Sequence, residues 1–218
     1  MKEFLPERVY FVSGIDTDAG KTVATGYISR ALLSEGVKVV TQKLIQTGNQ
    51  GISEDICLHR RLEGRELLPE DLDHTTNPLI YSYPCSPHMA IAIDGEEPRY
   101  DLARASTRKL SASFDKVLLE GAGGLMVPLT LSRLTIDYIK EEKLPVILVT
   151  TAKLGSINHT ILSFDALQSR GIPLAMLVYN RAIATDDKIT EETERYLRGY
   201  FHEHAPRTAF VVLPKLSF

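Results

Sequence analysis

Tryptophan is absent from this 218-residue chain, and cysteine occurs only twice, as Cys57 and Cys85. Two thiols without C-x-x-C spacing exclude a disulfide framework, so both are read as reduced thiols of a cytoplasmic protein. Long apolar runs are missing as well. Stretches such as Leu144–Ala152 (LPVILVTTA) fall far short of the roughly 20 residues that a membrane-spanning helix needs, so no membrane partner is expected. The N-terminal MKEFLPERVYFVSG puts two glutamates and a proline ahead of a very short apolar run, which is not a secretory signal. Neither charge sign dominates. With 25 Lys and Arg against 28 Asp and Glu, the formal net charge is −3, and no basic field for nucleic acid exists. The sequence shows no His–Cys cluster at metal-ligand spacing, no low-complexity linker and no internal repeat.

What is present is an alternation of strand-like and helix-like segments. Residues Val9–Val12, Val37–Lys43, Lys116–Glu120, Pro145–Thr150, Leu174–Tyr179 and Ala209–Leu213 are short apolar runs rich in β-branched or aromatic residues, which marks strands. Most are continuously apolar rather than alternating, as strands covered on both faces by helices are. Helical composition fills Lys21 to about Ser34, Asp101–Ala112, Thr135–Glu142, Ile157–Arg170 and Thr190–His202, with Gly36 and Gly171 as stop signals. Asp101 is the expected cap of its helix. Ile189, Thr193, Tyr196 and Tyr200 are the expected apolar stripe of the last helix. Repeated strand-then-helix order predicts a single α/β domain over residues 1–218, with a doubly wound, mostly parallel sheet flanked by helices. Residues 48–97 are the least regular and are assigned one or two helices and loops.

The chemistry begins at Ser13–Thr22, SGIDTDAGKT, which follows the first strand and opens a helix. It departs by one step from the phosphate-loop pattern G-x-x-x-x-G-K-[ST]. The first glycine sits early, at Gly14, and Ile15 occupies its usual place. Backbone N–H groups from Asp18 through Ala19 and Gly20 to Thr22 would face an anion at the helix N-terminus. Lys21 would reach the terminal phosphates, and the Thr22 hydroxyl would bind Mg2+. Asp16 and Asp18 are out of place in an anion-binding loop. They need another task, such as capping a turn or meeting an amine or a ribose hydroxyl.

Three further segments add to this loop. Lys43 falls at the carboxyl end of the second strand, the edge at which open α/β sheets bind ligands. In Leu118–Leu129, LLEGAGGLMVPL, Glu120 ends an apolar strand where it can ligate Mg2+, and the glycines after it let backbone N–H groups approach a ligand. In Thr150–Thr160, TTAKLGSINHT, free N–H groups ahead of a helix make a second anion site suited to a carboxylate. A purely structural role competes at each position: a Gly-rich turn, a solvated strand-end lysine, a tight turn capped by glutamate, ordinary capping by Ser156. His88 and His159 are assigned to packing or capping.

Together these segments resemble dethiobiotin synthetase, the ATP-dependent ligase family of biotin biosynthesis within the P-loop superfamily. The family's G-x-D-T-x-x-G-K-T loop is Gly14–Thr22, so the early glycine follows the family habit. Its K-x-x-x-[ST]-G, S-P-H, E-G-A-G-G and K-L-G-x-I-N-H strings stand at Lys43–Gly48, Ser86–His88, Glu120–Gly124 and Lys153–His159, and Asn180 follows a late strand. The resemblance runs in order from about Val9 to Asn180. It implies ATP and CO2 or bicarbonate as co-substrates of 7,8-diaminopelargonic acid. One amine becomes a carbamate, the carbamate oxygen attacks the γ-phosphate, and the second amine closes a cyclic urea. It further implies ATP contacts from Asp18, Ala19, Gly20, Lys21, Thr22, Val23, Asp55, Glu120, Gly121, Ala122, Gly123, Asn180, Arg181 and Pro214. Lys21 and Lys43 would supply catalytic charge. Thr22, Glu120 and a carboxylate of the Glu54–Asp55 pair, with Asp55 the better match, would hold Mg2+. Thr47 and the N–H groups of Leu154, Gly155, Ser156, Ile157 and Asn158 would bind the substrate, the latter across a homodimer interface.

The sequence departs from the family at two places. Arg181 stands where an aspartate is common, and only Lys215–Phe218 follow Pro214, which leaves little polypeptide to close over the adenine. Weak discrimination between ATP and GTP is expected on that ground, with Asn180 as the remaining base contact. Two other readings stay open. One is another amide-forming or partitioning ATPase of the superfamily, against which the missing glutaminase domain argues. The other is a nucleotide-dependent protein switch, which needs an exposed partner face and no small-molecule pocket beside the γ-phosphate.

Overall fold

The computed structural model describes residues 1–183 and 186–215. The N-terminal half contains β1 (Val9–Gly14), α1 (Lys21–Ser34), β2 (Val39–Lys43), β3 (Gln46–Thr47), α2 (Glu54–Glu63), α3 (Pro69–Leu72), β4 (Ile80–Tyr81), α4 (Pro87–Asp94) and α5 (Tyr100–Ser113). The remainder contains β5 (Lys116–Gly124), α6 (Thr135–Glu141), β6 (Val146–Thr151), α7 (Ser156–Gln168), β7 (Leu174–Asn180), α8 (Asp187–His204) and β8 (Ala209–Leu213). Six strands form a sheet in the order β2-β5-β1-β6-β7-β8, and every pairing in it is parallel. This is the doubly wound architecture expected from the sequence. The pair β3-β4 stands apart from it.

The continuous apolar runs follow from burial on both faces. Successive side chains of a strand point to opposite sides. Tyr10 and Val12 of β1 therefore join Leu118, Ile147, Val149 and Val178 beneath Ala24, Ile28 and Leu32 of α1. Phe11 between them joins Leu119, Leu148 and Leu177 on the other side, under Ile136 and Ile139 of α6, Phe164 and Leu167 of α7, and Leu197 and Phe201 of α8. The same parity positions the polar groups. Val39 and Leu118 belong to the α1 side, so Lys43 and Glu120, an even number of residues along, project to that side too. They are direct partners across β2 and β5.

Several elements differ in detail from the sequence expectation. β5 continues to Gly124, so Glu120 lies within the strand rather than at its end. α5 starts at Tyr100 with Arg99 as N-cap and no side-chain cap bond. Asp101 instead sits in the first turn, where a negative charge suits the helix dipole. α8 is capped by Asp186, whose carboxylate accepts from the Ile189 N–H at 2.9 Å. Its buried stripe is Thr190, Thr193, Leu197 and Phe201. The tyrosine stripe lies to one side, with Tyr196 46% exposed, because Tyr196, Tyr200 and His204 stack on one another along the helix. Residues 48–97 hold three helices, α2, α3 and α4, and a strand of the small sheet. The apolar period fails there because α2 buries His59 and Arg60 as well as Ile56 and Leu62.

Candidate active site

The phosphate loop leaves the centre of the sheet, where β1 runs between β5 and β6. A side chain at position 14 would place its Cβ 2.8 Å from the Asp16 carbonyl oxygen and 3.0 Å from Ala19 Cβ, so the early glycine is demanded by the way the loop folds back. Gly20, the N-cap of α1, has φ +87°. A Cβ there would collide with Asn180 Nδ2. The loop wraps Lys21, which is 6% exposed and donates to the carbonyls of Thr17 at 2.9 Å and Asp16 at 3.3 Å. Burial pushes the Lys21 pKa down; Glu120 opposes this, Lys43 reinforces it, and the net shift is downward. Asp16 Oδ1 accepts from the Thr17 N–H at 2.7 Å, a bond within the turn.

Four of the expected side chains converge beside this loop from α1, β2, α2 and β5. Lys43 Nζ donates to Glu120 Oε1 at 2.8 Å and to the Gly121 carbonyl at 3.2 Å, and it pairs with the Asp55 carboxylate. Thr22 Oγ1 lies 3.0 Å from Asp55 Oδ1 and 3.1 Å from Glu120 Oε1. Glu120 is fully buried. Burial alone would raise its pKa, but Lys43 and His59 outweigh that and hold the carboxyl well below the usual range. Burial would lower the Lys43 pKa, but Glu120 and Asp55 outweigh that and raise it. The pair is therefore ionised, with one ammonium facing two carboxylates.

His59 is the member that sequence reasoning missed. It is fully buried, and its Nε2 lies 3.0 Å from Glu120 Oε2. A signal for it existed: Asp55 and His59 stand at i and i+4 of one helix and so share a face. Local sequence fixes that helix. Ser53 caps its start by accepting from the Ile56 N–H at 3.3 Å, and Gly64 ends it in the left-handed region. Arg60 then ties α2 down. It donates to both Asp71 oxygens at 2.8 and 2.9 Å, to Thr41 of β2 at 2.9 Å, and to Glu63.

The remaining expected residues are distributed around this centre. Asn180 is buried; its Nδ2 donates to the Ala19 carbonyl at 3.0 Å and its Oδ1 accepts from the Ala182 N–H at 2.9 Å. Both ends of the amide are thus occupied, and Asn180 braces the phosphate loop. Arg181 pairs with Glu194 of α8. Pro214 is exposed just past β8, and Thr47, Val23 and Ala122 are half-buried. Gly123 has φ +64°. Gly155 caps α7 with its backbone in the left-handed region. Ile157 lies in the first turn of α7, and Asn158 is exposed beside it. Leu154 is 81% exposed, and the Ser156 hydroxyl is buried without a partner among the described residues. Ser156, Leu154 and Thr151 share a cavity of about 170 Å3 with Asp16, Thr17 and Ala19 of the phosphate loop. His88 Nδ1 sits 3.1 Å from Ser86 Oγ, and His159 lines that same cavity. The expected loose hold on the base turns in part on residues 216–218, which lie outside the described residues.

The donors of Thr22, Asp55 and Glu120 are hard oxygens lying within hydrogen-bond distance around the Thr22 hydroxyl. Among the described residues, no group of three or more His, Cys, Asp and Glu side chains forms a metal cage. The hard-oxygen donors fit Mg2+, which is bound through one or two carboxylates with substrate phosphates and water completing its shell.

Along its length the chain is similar to known proteins. The AAA domain family matches residues 8–216. The ATP-dependent dethiobiotin synthetase BioD 2 of Haemophilus ducreyi is 47% identical over 208 residues, covering 95% of this chain and 99% of that protein. The protein of the same name from Pasteurella multocida is 44% identical over 210 residues, covering 96% and 99%. A solved structure described as a plasmid partition protein of Borrelia burgdorferi, bound to AMPPNP, has a TM-score of 0.54 at 15% identity, covering 95% of this chain and 87% of that one; the likeness is one of fold. The loop around Lys21 and the Lys43–Asp55–Glu120 centre thus sit in a chain that belongs to the ATP-dependent dethiobiotin synthetase family, whose members are ligases.

Proposed function

We propose that this protein converts 7,8-diaminopelargonic acid, CO2 and ATP into dethiobiotin, ADP and phosphate. The observation that carries the reading is the convergence of Thr22, Lys43, Asp55 and Glu120 beside the phosphate loop. One amine adds to CO2, forming an N–C bond and losing a proton. The carbamate oxygen attacks the γ-phosphorus, and the bond to the β-phosphate oxygen breaks as ADP leaves. The second amine attacks the carbonyl carbon of the carbamic–phosphoric anhydride, and phosphate departs as the ring closes.

The residues act by position and charge, which is what phosphoryl transfer asks of a protein. Lys21 neutralises the β- and γ-phosphates. Lys43, paired with Glu120 and Asp55, would stabilise carbamate and phosphoryl oxygens. Thr22, Asp55 and Glu120 would hold Mg2+, which supplies charge neutralisation across the β- and γ-phosphates when bound. Thr47 would hydrogen-bond the diamine. The N–H groups of Leu154–Asn158 would hold the tail carboxylate of a substrate in the neighbouring subunit of a homodimer. The exposed apolar Leu154, Leu162 and Met126 support burial of this surface against a second copy.

The test is incorporation of 13C-bicarbonate with Mg·ATP and the diamine. A ring urea keeps the label through acidification, whereas a carbamate loses it as CO2. Label that survives acid and elutes at the mass of dethiobiotin is the expected result. Label lost on acidification would contradict the ring-closing step.

A further inference from the structure

His59 is a buried histidine that the steps above do not use. Its Nε2 lies 3.0 Å from Glu120 Oε2, while its Nδ1 is buried without a partner among the described residues. A buried ring nitrogen left unpaired costs stability, and an apolar side chain of similar volume would not incur that cost. Packing alone therefore does not account for a histidine here. The geometry around Glu120 does. Its Oε1 takes Lys43 at 2.8 Å and Thr22 at 3.1 Å. Among the described residues, its Oε2 meets only His59. Without that donor the second oxygen would lie unpaired in a fully buried site, and the soft terminal torsion of the glutamate would be held at one end only.

We propose that His59 is a positioning residue for the metal–nucleotide site: its Nε2–H pins Oε2 of Glu120, so that Oε1 stays beside Thr22 Oγ1 and Asp55 Oδ1. The inference rests on the reading of Thr22, Asp55 and Glu120 as metal ligands. α2 provides the lever. It carries Asp55 and His59 one turn apart, and the Arg60–Asp71 pair at 2.8 Å anchors it. One short helix thus supplies a ligand and orients another that comes from β5. Partners that orient metal ligands typically change metal affinity or activity by about 10- to 100-fold when removed.

The test uses the full chain, Mn2+ as the probe and AMPPNP as the nucleotide. Bound Mn2+ is read from the loss of the free-ion paramagnetic resonance signal, and the melting temperature is taken without metal. His59→Leu should weaken Mn2+ binding by about 10-fold or more, and its metal-free melting temperature should fall, because Glu120 Oε2 then lies buried without its donor. His59→Gln, whose amide can reach the same oxygen, should stay within a few-fold of the parent. His59→Asn ends short of Glu120 and should fall with the leucine variant. Glu120→Gln separates this inference from the metal reading. If Glu120→Gln binds Mn2+ weakly and His59→Leu binds it like the parent, His59 only packs and the inference is overturned. If Glu120→Gln also binds like the parent, the ligand assignment itself fails. Should His59→Leu not fold, the Asn and Gln variants decide, and equal affinity in those two overturns the positioning role.

Discussion

Lys21 and Lys43 are both buried, yet their surroundings push them in opposite directions. Lys21 is wrapped by carbonyls of its own loop, and its pKa is lowered. Lys43 sits between two carboxylates, and its pKa is raised. Lys21→Ala should cut kcat by at least the roughly 3 kcal/mol typical of a single transition-state charge contact; steady-state turnover within a few-fold of the parent would contradict the phosphate-loop role. Lys43→Gln should show a similar loss of kcat together with a pH signature. In the parent, the Glu120 pKa is depressed, so its contribution to stability is present above the unfolded carboxylate range and lost as pH falls. In the variant, Glu120 is buried without its cation and its pKa rises, so stability improves as pH falls. The melting-temperature gap between parent and variant should narrow from pH 8 toward about 4.5; a gap independent of pH would count against the pairing. Both lysines and Glu120 were legible in the sequence because each is a polar residue where an apolar strand or a glycine-rich loop meets the binding edge. His59 was marked only by its i, i+4 spacing from Asp55, since its partner lies 61 positions away in the chain.

α2 shows why the region between Gly48 and Glu97 resisted reading. Helices are recognised by an apolar stripe, and this one buries an arginine and a histidine as well as Ile56 and Leu62. Their burial is compensated by Asp71, Thr41 and Glu120 from elsewhere in the chain and by Glu63 of the same helix, so most of it is not announced locally. The strands were legible for the converse reason: two-sided burial writes itself into each run as continuous apolarity. Burial pushes the Asp71 carboxyl up, but the Arg60 guanidinium, the Leu68 N–H and the Thr76 hydroxyl hold it below its ordinary value. Its contribution is thus present above about pH 4 and lost as pH falls through the depressed value. Asp71→Asn leaves a buried guanidinium short of a partner and should cost about 3 kcal/mol at neutral pH, with less difference from the parent in acid. Denaturant titration at pH 7 and pH 3.5 checks this, and a change below about 0.5 kcal/mol at neutral pH would show that Glu63 alone suffices.

At the scale of the molecule, the doubly wound order carries loop, lysine, glutamate and α7 to one edge of the sheet, and that much followed from the order of strands and helices in the sequence. The proposed dimer makes a separate prediction. Leu162 is 58% exposed on α7, and Leu162→Glu would place a charge in the subunit contact. Sedimentation velocity should then show a monomer where the parent is a dimer, and KM for the diamine should rise far more than KM for ATP. A parent that sediments as a fully active monomer would contradict the shared site. The most direct measurement of the whole account is ADP release by the parent enzyme in Mg·ATP, with the diamine and bicarbonate supplied together, singly or not at all. Sustained ADP release is predicted only when both are present, with dethiobiotin accumulating in equal amount; ADP release at the same rate without the diamine would contradict it.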